Sequence, residues 1–329
     1  METMIHFLKA YIKSMRIYYA FITGIAGWVG VSYYEYTIKN SYVALQGDSL
    51  IFKKILLLSL LFLSWGINQI VNDYLGLKED RINAPNRPMV TGELNPKKAI
   101  ITSFILLSIS MILIAIFLEP IAIIPALLAV ILNIIYEYAK GYGILGNIVF
   151  GIMITMCCVV GYMAMGPMGS SQITSDAAAL LILLVVMNGL MTFYTFFKDY
   201  KGDLAENKKT LVVKYGVEKS RKIALVSSII PGVIFAFAYY FGIISFDLNN
   251  IFLFLAALTL FMHIWTGVLY YKYPYGDRTY YSLSVNFKAC ACGQSALIAL
   301  MNPILGMMLF ILTYIFVGFL FDLYSDSKG

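Results

Sequence analysis

Charge is what this sequence has least of. Only 13% of its 329 residues are Asp, Glu, Lys or Arg, while 60% are hydrophobic. An ordinary soluble domain carries about 25% charged residues, so a water-soluble globular class is excluded. Histidine is scarce as well, limited to His6 and His263, and the 4 cysteines (Cys157, Cys158, Cys290, Cys292) lie in or beside apolar runs. With no histidine near them, these cysteines are expected to be buried small apolar residues and not a metal or redox centre. His263, alone within an apolar run, reads as a structural histidine. No Ser/Gly-rich linker or low-complexity block divides the chain, so one domain over residues 1–329 is expected. No cleavable signal peptide is indicated, because Lys9, Lys13 and Arg16 lead directly into the first apolar run. No nucleic-acid-binding pattern accompanies the net charge of +6.

What the chain has instead is length of apolar sequence. About nine runs approach the length of a bilayer span: residues 17–34, 52–73, 99–118, 120–138, 144–165, 177–197, 223–244, 250–271 and 291–321, the last bent near Pro303. This pattern predicts an all-α polytopic membrane protein. With the N-terminus placed inside, 20 of the 24 Lys and Arg fall on inner segments, and only Lys39, Lys53, Lys54 and Lys328 fall outside. The bias predicts a multi-pass protein of the cell membrane with a cytoplasmic N-terminus and, after nine spans, a C-terminus outside. The positive charge is then a topology signal with some attraction for anionic lipid.

Two charged segments interrupt the apolar pattern, both on the predicted cytoplasmic side. The first is NDYLGLKEDRINAPNRP, residues 72–88, and the second is FKDYKGDLAENKKTLVVKYG, residues 197–216. A shift of 123 positions lays Asp203 on Asp80, Asp199 on Gly76 and Thr195 on Asn72. Residues i, i+4 and i+8 share a helix face, so each segment presents its acids along one side. The repeat suggests two similar halves about an axis along the membrane normal. Acids at the inner ends of two spans make a hard-oxygen site suited to Mg2+, which takes one or two carboxylates and completes its shell with water and phosphate oxygens. Arg87, Lys140, Lys201 and Lys209 are the cations expected to clamp a diphosphate.

At these residues the sequence resembles the UbiA superfamily of intramembrane prenyltransferases. The first signature, N-D-x-x-D-x-x-x-D followed by an Arg-Pro stretch and a glycine, reads here as Asn72-Asp73 through Asp80, then Arg87-Pro88 and Gly92. The second survives as Asp199-Tyr-Lys-Gly-Asp203 with Lys209-Thr210 following. A third match is Tyr136-x-x-x-Lys140 with Gly146-Asn147. Two acids of the pattern are missing, at Gly76 and at Phe196 (or Thr195, depending on the count). The resemblance implies a UbiA-type bundle with two pseudo-repeated halves around a central cavity. It implies Asp73, Asp80, Asp199 and Asp203 as catalytic, metal-organising acids, with Asn72 as a neutral ligand to one or two Mg2+. It further implies Asn147, Tyr136, Tyr194 and Phe196 as substrate-binding residues, with Phe196 facing the developing cation.

The implied reaction is ionisation of a polyprenyl diphosphate held among membrane lipids, with transfer of the prenyl group to a lipophilic acceptor of aromatic or quinone-precursor type. A terpene cyclase of the same superfamily, which folds the prenyl chain on itself, is the alternative. A transporter or lipid-binding homologue without catalysis is a third class. No obligate protein partner is indicated.

Overall fold

Helix boundaries follow capping signals that are visible in the chain. Asn95, Thr174, Asn249 and Asn302 each accept a hydrogen bond from the backbone N–H three residues on, at 3.1, 3.1, 2.8 and 3.1 Å. Pro96 and Pro303 follow two of these caps in the first helical turn, where proline has no N–H to leave unpaired. The computed structural model describes residues 4–39, 47–166, 174–276 and 278–324.

Among them are α1 (Met4–Met15), α2 (Ala20–Lys39), α3 (Gly47–Leu75), α4 (Leu77–Asn83), α5 (Pro88–Thr91), α6 (Pro96–Phe117), α7 (Ile123–Ala139) and α8 (Ile144–Met163). The second part holds α9 (Ser175–Ala205), α10 (Leu211–Tyr215), α11 (Val217–Ser227), α12 (Ile230–Tyr240), α13 (Asn250–Lys272), α14 (Arg278–Ile298) and α15 (Pro303–Leu323). No named strand occurs among the described residues, only a bridge between Tyr142 and Lys209. Eight segments among the described residues are long and apolar enough to cross a membrane: α3, α6, α7 with its leading turn, α8, α9, α11–α12, α13 and α15.

Two more long helices, α2 and α14, fill the interior. Helices α2 and α8 cross with almost nothing between them. A Cβ on Gly30 would run into the Cys158 carbonyl, and one on Gly161 into that of Gly27. Small residues at a crossing let backbones approach closely, which is how helices associate where water no longer drives them together. The α14 helix is buried from Ala289 through Ile298 without a break. Two of its polar side chains donate inside the bundle: Asn286 to the Met191 carbonyl at 2.9 Å and Gln294 to Asn188 Oδ1 at 3.1 Å.

The expected last span, 291–321, is two helices and not one bent helix. The chain turns through Ala299–Asn302, where Asn249 donates to the Ala299 carbonyl at 2.8 Å, and Asn302 with Pro303 starts α15 afresh. The extra crossing brings the chain back. Tyr280 donates to the Phe321 carbonyl at 2.8 Å, and the Tyr18 and Tyr324 rings stand 5.6 Å apart. The described chain therefore ends at the same end of the bundle as α1, which corrects the expectation of a C-terminus on the opposite side. Lys328 lies outside the described residues.

Candidate active site

Helix α3 passes into α4 with little interruption. Gly76 N–H donates to the Asn72 carbonyl at 2.8 Å and Asp80 N–H to the Gly76 carbonyl at 3.0 Å, so the four-residue spacing of Asn72, Gly76 and Asp80 keeps its face. Beyond Asn83 the chain turns back. Arg87 N–H donates to the Ala84 carbonyl at 3.1 Å, Pro88 opens α5, and Gly92 closes it with φ of 83°, a left-handed conformation that suits glycine. That reversal aims Arg87 at the acids it follows. Across from it, α9 runs 31 residues, about 46 Å at 1.5 Å per residue, longer than the roughly 30 Å hydrocarbon core. Its last turns, carrying Asp199 and Asp203, can therefore reach the polar boundary.

The two acidic segments are clamped together by Asn83. Its amide donates to the Asp199 carbonyl at 3.0 Å, and its side-chain oxygen accepts from Gly202 N–H at 2.8 Å. Gly202 is required by this approach, since a Cβ there would stand 2.8 Å from the Glu79 carbonyl and strike the Asn83 amide. Between the segments lies a cavity of about 100 Å³, room for about three waters.

Its polar wall is formed by Asn72, Asp73, Glu79, Asp80, Asp199, Asp203, Arg16, Arg87, Glu137 and Lys140. Arg16 pairs with Asp73, and Arg87 pairs with Asp80 and lies 3.3 Å from Asp73. Gln69 donates to the same Asp73 oxygen at 2.9 Å. Arg16 itself sits in a left-handed conformation, φ 48°, just before the turn Ile17–Tyr19. Lys208 pairs with Glu79 and, at 2.7 Å, with Glu137, which also meets Lys140 at 2.5 Å. Burial raises the Asp80 carboxyl to about 6 in spite of Arg87. Burial alone would lower the Arg87 guanidinium, but Asp80 and Asp73 outweigh it and raise it. For Glu79 burial is likewise outweighed, by the hydrogen bond from Lys208 together with a backbone hydrogen bond and the charges of Lys140 and Lys208, and its carboxyl is lowered.

The other wall is aromatic. Trp65 and Phe150 meet at 5.3 Å, Tyr136 and Phe150 at 5.1 Å, Tyr19 and Trp65 at 5.4 Å, and Tyr19 and Phe287 at 4.9 Å. All five rings border the same cavity as the acids. This places polar head-group chemistry and an apolar, π-rich compartment side by side.

Of the residues expected from the sequence, Asn72, Asp73, Asp80, Arg87, Tyr136, Lys140, Asp199 and Asp203 come together at this cavity. Five do not line it. Phe196, 2% exposed, packs with Phe193, Tyr194 and Phe197 in a separate apolar cluster. Tyr194 belongs to that cluster, stacked on Tyr270 at 5.0 Å and donating to the Ala224 carbonyl at 2.8 Å. The residue that faces the cavity is Thr195, because it is the one four before Asp199. Lys201 and Lys209 are exposed, with the Lys209 carbonyl accepting from Gly143 N–H at 2.9 Å. Asn147 is buried and donates to the Gly189 carbonyl at 3.0 Å, tying α8 to α9.

Sequence reasoning missed Arg16, Glu137, Lys208, Trp65, Phe150 and Phe287. Arg16 was hidden among basic residues that also set topology. Glu137, an acid within an apolar run, was a usable signal, since such residues are costly in a membrane segment.

Among the described residues no three acidic, histidine or cysteine side chains converge as a ready metal cage. The donor set nevertheless fits a hard cation. It is all oxygen, and Asn72 Oδ1 and Asp203 Oδ2, both buried, have no hydrogen-bond partner. Magnesium needs few protein ligands when substrate phosphate supplies the rest.

Residues 40–290 match the model of the UbiA prenyltransferase family. The chain is similar to the digeranylgeranylglyceryl phosphate synthase of Thermococcus sibiricus, 30% identical over 223 residues, covering 68% of this chain and 74% of that one. It is similar also to that of Sulfurisphaera tokodaii, 28% identical over 238 residues, covering 71% and 80%. Among solved structures, the UbiA homolog from Archaeoglobus fulgidus bound to GPP and Mg2+ matches with a TM-score of 0.59 at 14% identity, over 89% of this chain and 99% of that chain. A structure of a digeranylgeranylglyceryl phosphate synthase matches with a TM-score of 0.54 at 23% identity, over 94% and 98%. This chain, a multi-pass membrane protein, belongs to the UbiA prenyltransferase family.

Proposed function

We propose that this protein is an Mg2+-dependent intramembrane prenyltransferase that moves a geranylgeranyl group from its diphosphate to the hydroxyl of a prenylated glyceryl phosphate. The observation that carries the reading is the convergence of two acidic segments, four cationic side chains and an aromatic wall on one cavity (Arg16, Arg87 and Lys140 lining it, Lys208 paired to its Glu79 and Glu137). The choice of acceptor is supported by the relatives, which are named digeranylgeranylglyceryl phosphate synthases. That name describes a glyceryl phosphate bearing two geranylgeranyl groups, and the reading assigns this chain the addition of the second. A surplus of cations also suits an acceptor that carries its own phosphate.

In this mechanism Asn72, Asp73, Asp80, Asp199 and Asp203 would hold the cation. When bound, Mg2+ supplies Lewis-acid neutralisation of the diphosphate charge. The guanidiniums of Arg16 and Arg87, with Lys140, bind the diphosphate oxygens and stabilise the charge that grows as the allylic C–O bond breaks. The electron pair leaves with the diphosphate. Tyr19, Trp65, Tyr136, Phe150 and Phe287 exclude water from the allylic cation, and each favourably placed ring stabilises it by about 0.5–2 kcal/mol. The acceptor oxygen then bonds to C1, and its proton passes to a carboxylate of the site or to diphosphate. Asp73, Asp80, Glu79 and Glu137 are paired with cations in the free protein, so substrate entry has to exchange those pairs for diphosphate contacts. We place the acidic segments and α1 on the cytoplasmic face, where the Lys and Arg concentrate, and treat residues 1–329 as one domain.

The test is purified protein with Mg2+ and geranylgeranyl diphosphate, analysed by mass spectrometry. Product that appears only with added geranylgeranylglyceryl phosphate supports the reading. Adducts formed only with an aromatic quinone precursor overturn the acceptor, and hydrocarbon or alcohol formed without acceptor indicates a cyclase.

A further inference from the structure

The two acidic segments repeat with a 123-residue shift, Asn72, Gly76 and Asp80 on one and Thr195, Asp199 and Asp203 on the other. All six border the same cavity. The counterpart of Asp199 is therefore a glycine, and along this one face the α3–α4 side has one carboxylate fewer, although Asp73 and Glu79 also border the cavity. Gly76 has φ of −94°, so its backbone does not demand glycine. A Cβ on Gly76 would stand 3.2 Å from the Asn72 carbonyl and 3.4 Å from Glu137 Oε1, so the one side chain found against this position is a carboxylate.

Glu137 comes from α7, which belongs to neither acidic segment, and is 6% exposed. In the same cavity Asp203, 1% exposed, aims an oxygen with no partner. We propose that Glu137 supplies from α7 the carboxylate that position 76 lacks, and that it ligates the divalent cation together with Asp203. The proposal rests on the function put forward above. Lys140 and Lys208 pair with Glu137 in the free protein and hold the place that the cation takes. Once released, both ammonium groups are available to the diphosphate. The trade is electrostatically balanced, because a divalent ion replaces two monovalent ones at the same oxygen.

The experiment measures cation binding without turnover. Full-length protein in nanodiscs is titrated with Mn2+ in the presence of geranylgeranyl S-thiolodiphosphate, whose carbon–sulfur bond resists ionisation, and the free-ion EPR signal is followed. Wild type, Glu137→Gln, Glu137→Asp, Gly76→Asp, Gly76→Asp/Glu137→Gln and Asp203→Asn are compared, each checked for folding by thermal unfolding.

Glu137→Gln is expected to weaken Mn2+ binding by at least about tenfold, the loss already seen when a mere supporting group of a metal site is removed. Glu137→Asp keeps the charge for the lysines but retracts the oxygen, and is expected to weaken it as well. Gly76→Asp alone sets a second carboxylate against Glu137, where like charges disfavour each other, and is expected to bind Mn2+ no better than wild type. The double variant is expected to bind more tightly than Glu137→Gln. A purely structural role for Glu137 predicts the reverse, with Gly76→Asp adding to the damage. If Asp203→Asn loses Mn2+ while both Glu137 variants bind as wild type, this inference is overturned and the proposed function stands. If wild type neither binds Mn2+ nor turns over donor, both fall.

Discussion

Helix propensity and tertiary contact make opposite predictions for Gly202→Ala, and the magnitudes decide between them. Gly202 lies within the last turns of α9, where an interior glycine costs about 0.5–1 kcal/mol relative to alanine, so propensity alone predicts stabilisation. Against this, a Cβ would stand 2.8 Å from the Glu79 carbonyl and strike the Asn83 amide. Overpacking of this kind costs about 1–3 kcal/mol. Displacing Asn83 also loses its bonds to the Asp199 carbonyl and Gly202 N–H, at about 0.5–1.5 kcal/mol each. The unfavourable sum is about 2–6 kcal/mol, and subtracting propensity leaves a net loss of about 1–5.5 kcal/mol. The same displacement separates α4 from α9, so prenyl transfer should fall although every acid is present. Thermal unfolding in detergent and turnover with geranylgeranyl diphosphate measure the two effects. Asn83→Ala is the companion variant. It loses the bonds without the clash and is expected to lie between wild type and Gly202→Ala in both assays. A Gly202→Ala protein as stable and as active as the parent would refute the clamp.

Asp203→Ala should lower turnover by at least about a hundredfold, corresponding to the roughly 2.7–4 kcal/mol carried by one preorganised electrostatic group; steady-state rates at saturating donor check this. Arg16→Ala should raise the donor KM while leaving Asp73 bonded to Gln69 and Arg87, and a KM equal to that of the parent would remove Arg16 from the diphosphate site. Lys201→Ala and Lys209→Ala should leave donor KM unchanged, because both side chains are exposed and neither lines the cavity. Phe196→Leu should alter stability by about 1 kcal/mol without changing product ratios, since the ring packs away from the cavity; a shifted product profile would return Phe196 to the site.

The acids were legible because a charge inside an apolar chain has few places to go. Asp73, Asp80, Asp199 and Asp203 had to gather near the ends of their helices and face inward, and four-residue spacing named the face. The aromatic wall was not legible. With 25 Tyr and 22 Phe, almost any helix face offers rings, and nothing in one segment says which ring another segment will meet. Phe196 was the expected choice because it stands where the family pattern carries an acid, yet one residue on a helix is a turn of about 100°, and that turn sends it into the cluster with Tyr194. Trp65 and Phe287 take the place instead, from helices 222 positions apart.

The sequence by itself determined that this chain lies in a membrane, that its apolar runs number about nine, and that two acidic segments share one side. Those properties depend on composition and local period, which act over tens of residues. Tertiary structure decided the rest. It divided residues 291–321 into two helices, because α14 could be polar when other helices surround it and pair its Asn286 and Gln294. It set the described end of the chain beside Tyr18. It brought Arg16 to Asp73 and Glu137 to Gly76, contacts across 57 and 61 positions that no local pattern encodes. Buried charge must find a partner wherever the fold supplies one, and only the packed bundle fixes which partner that is.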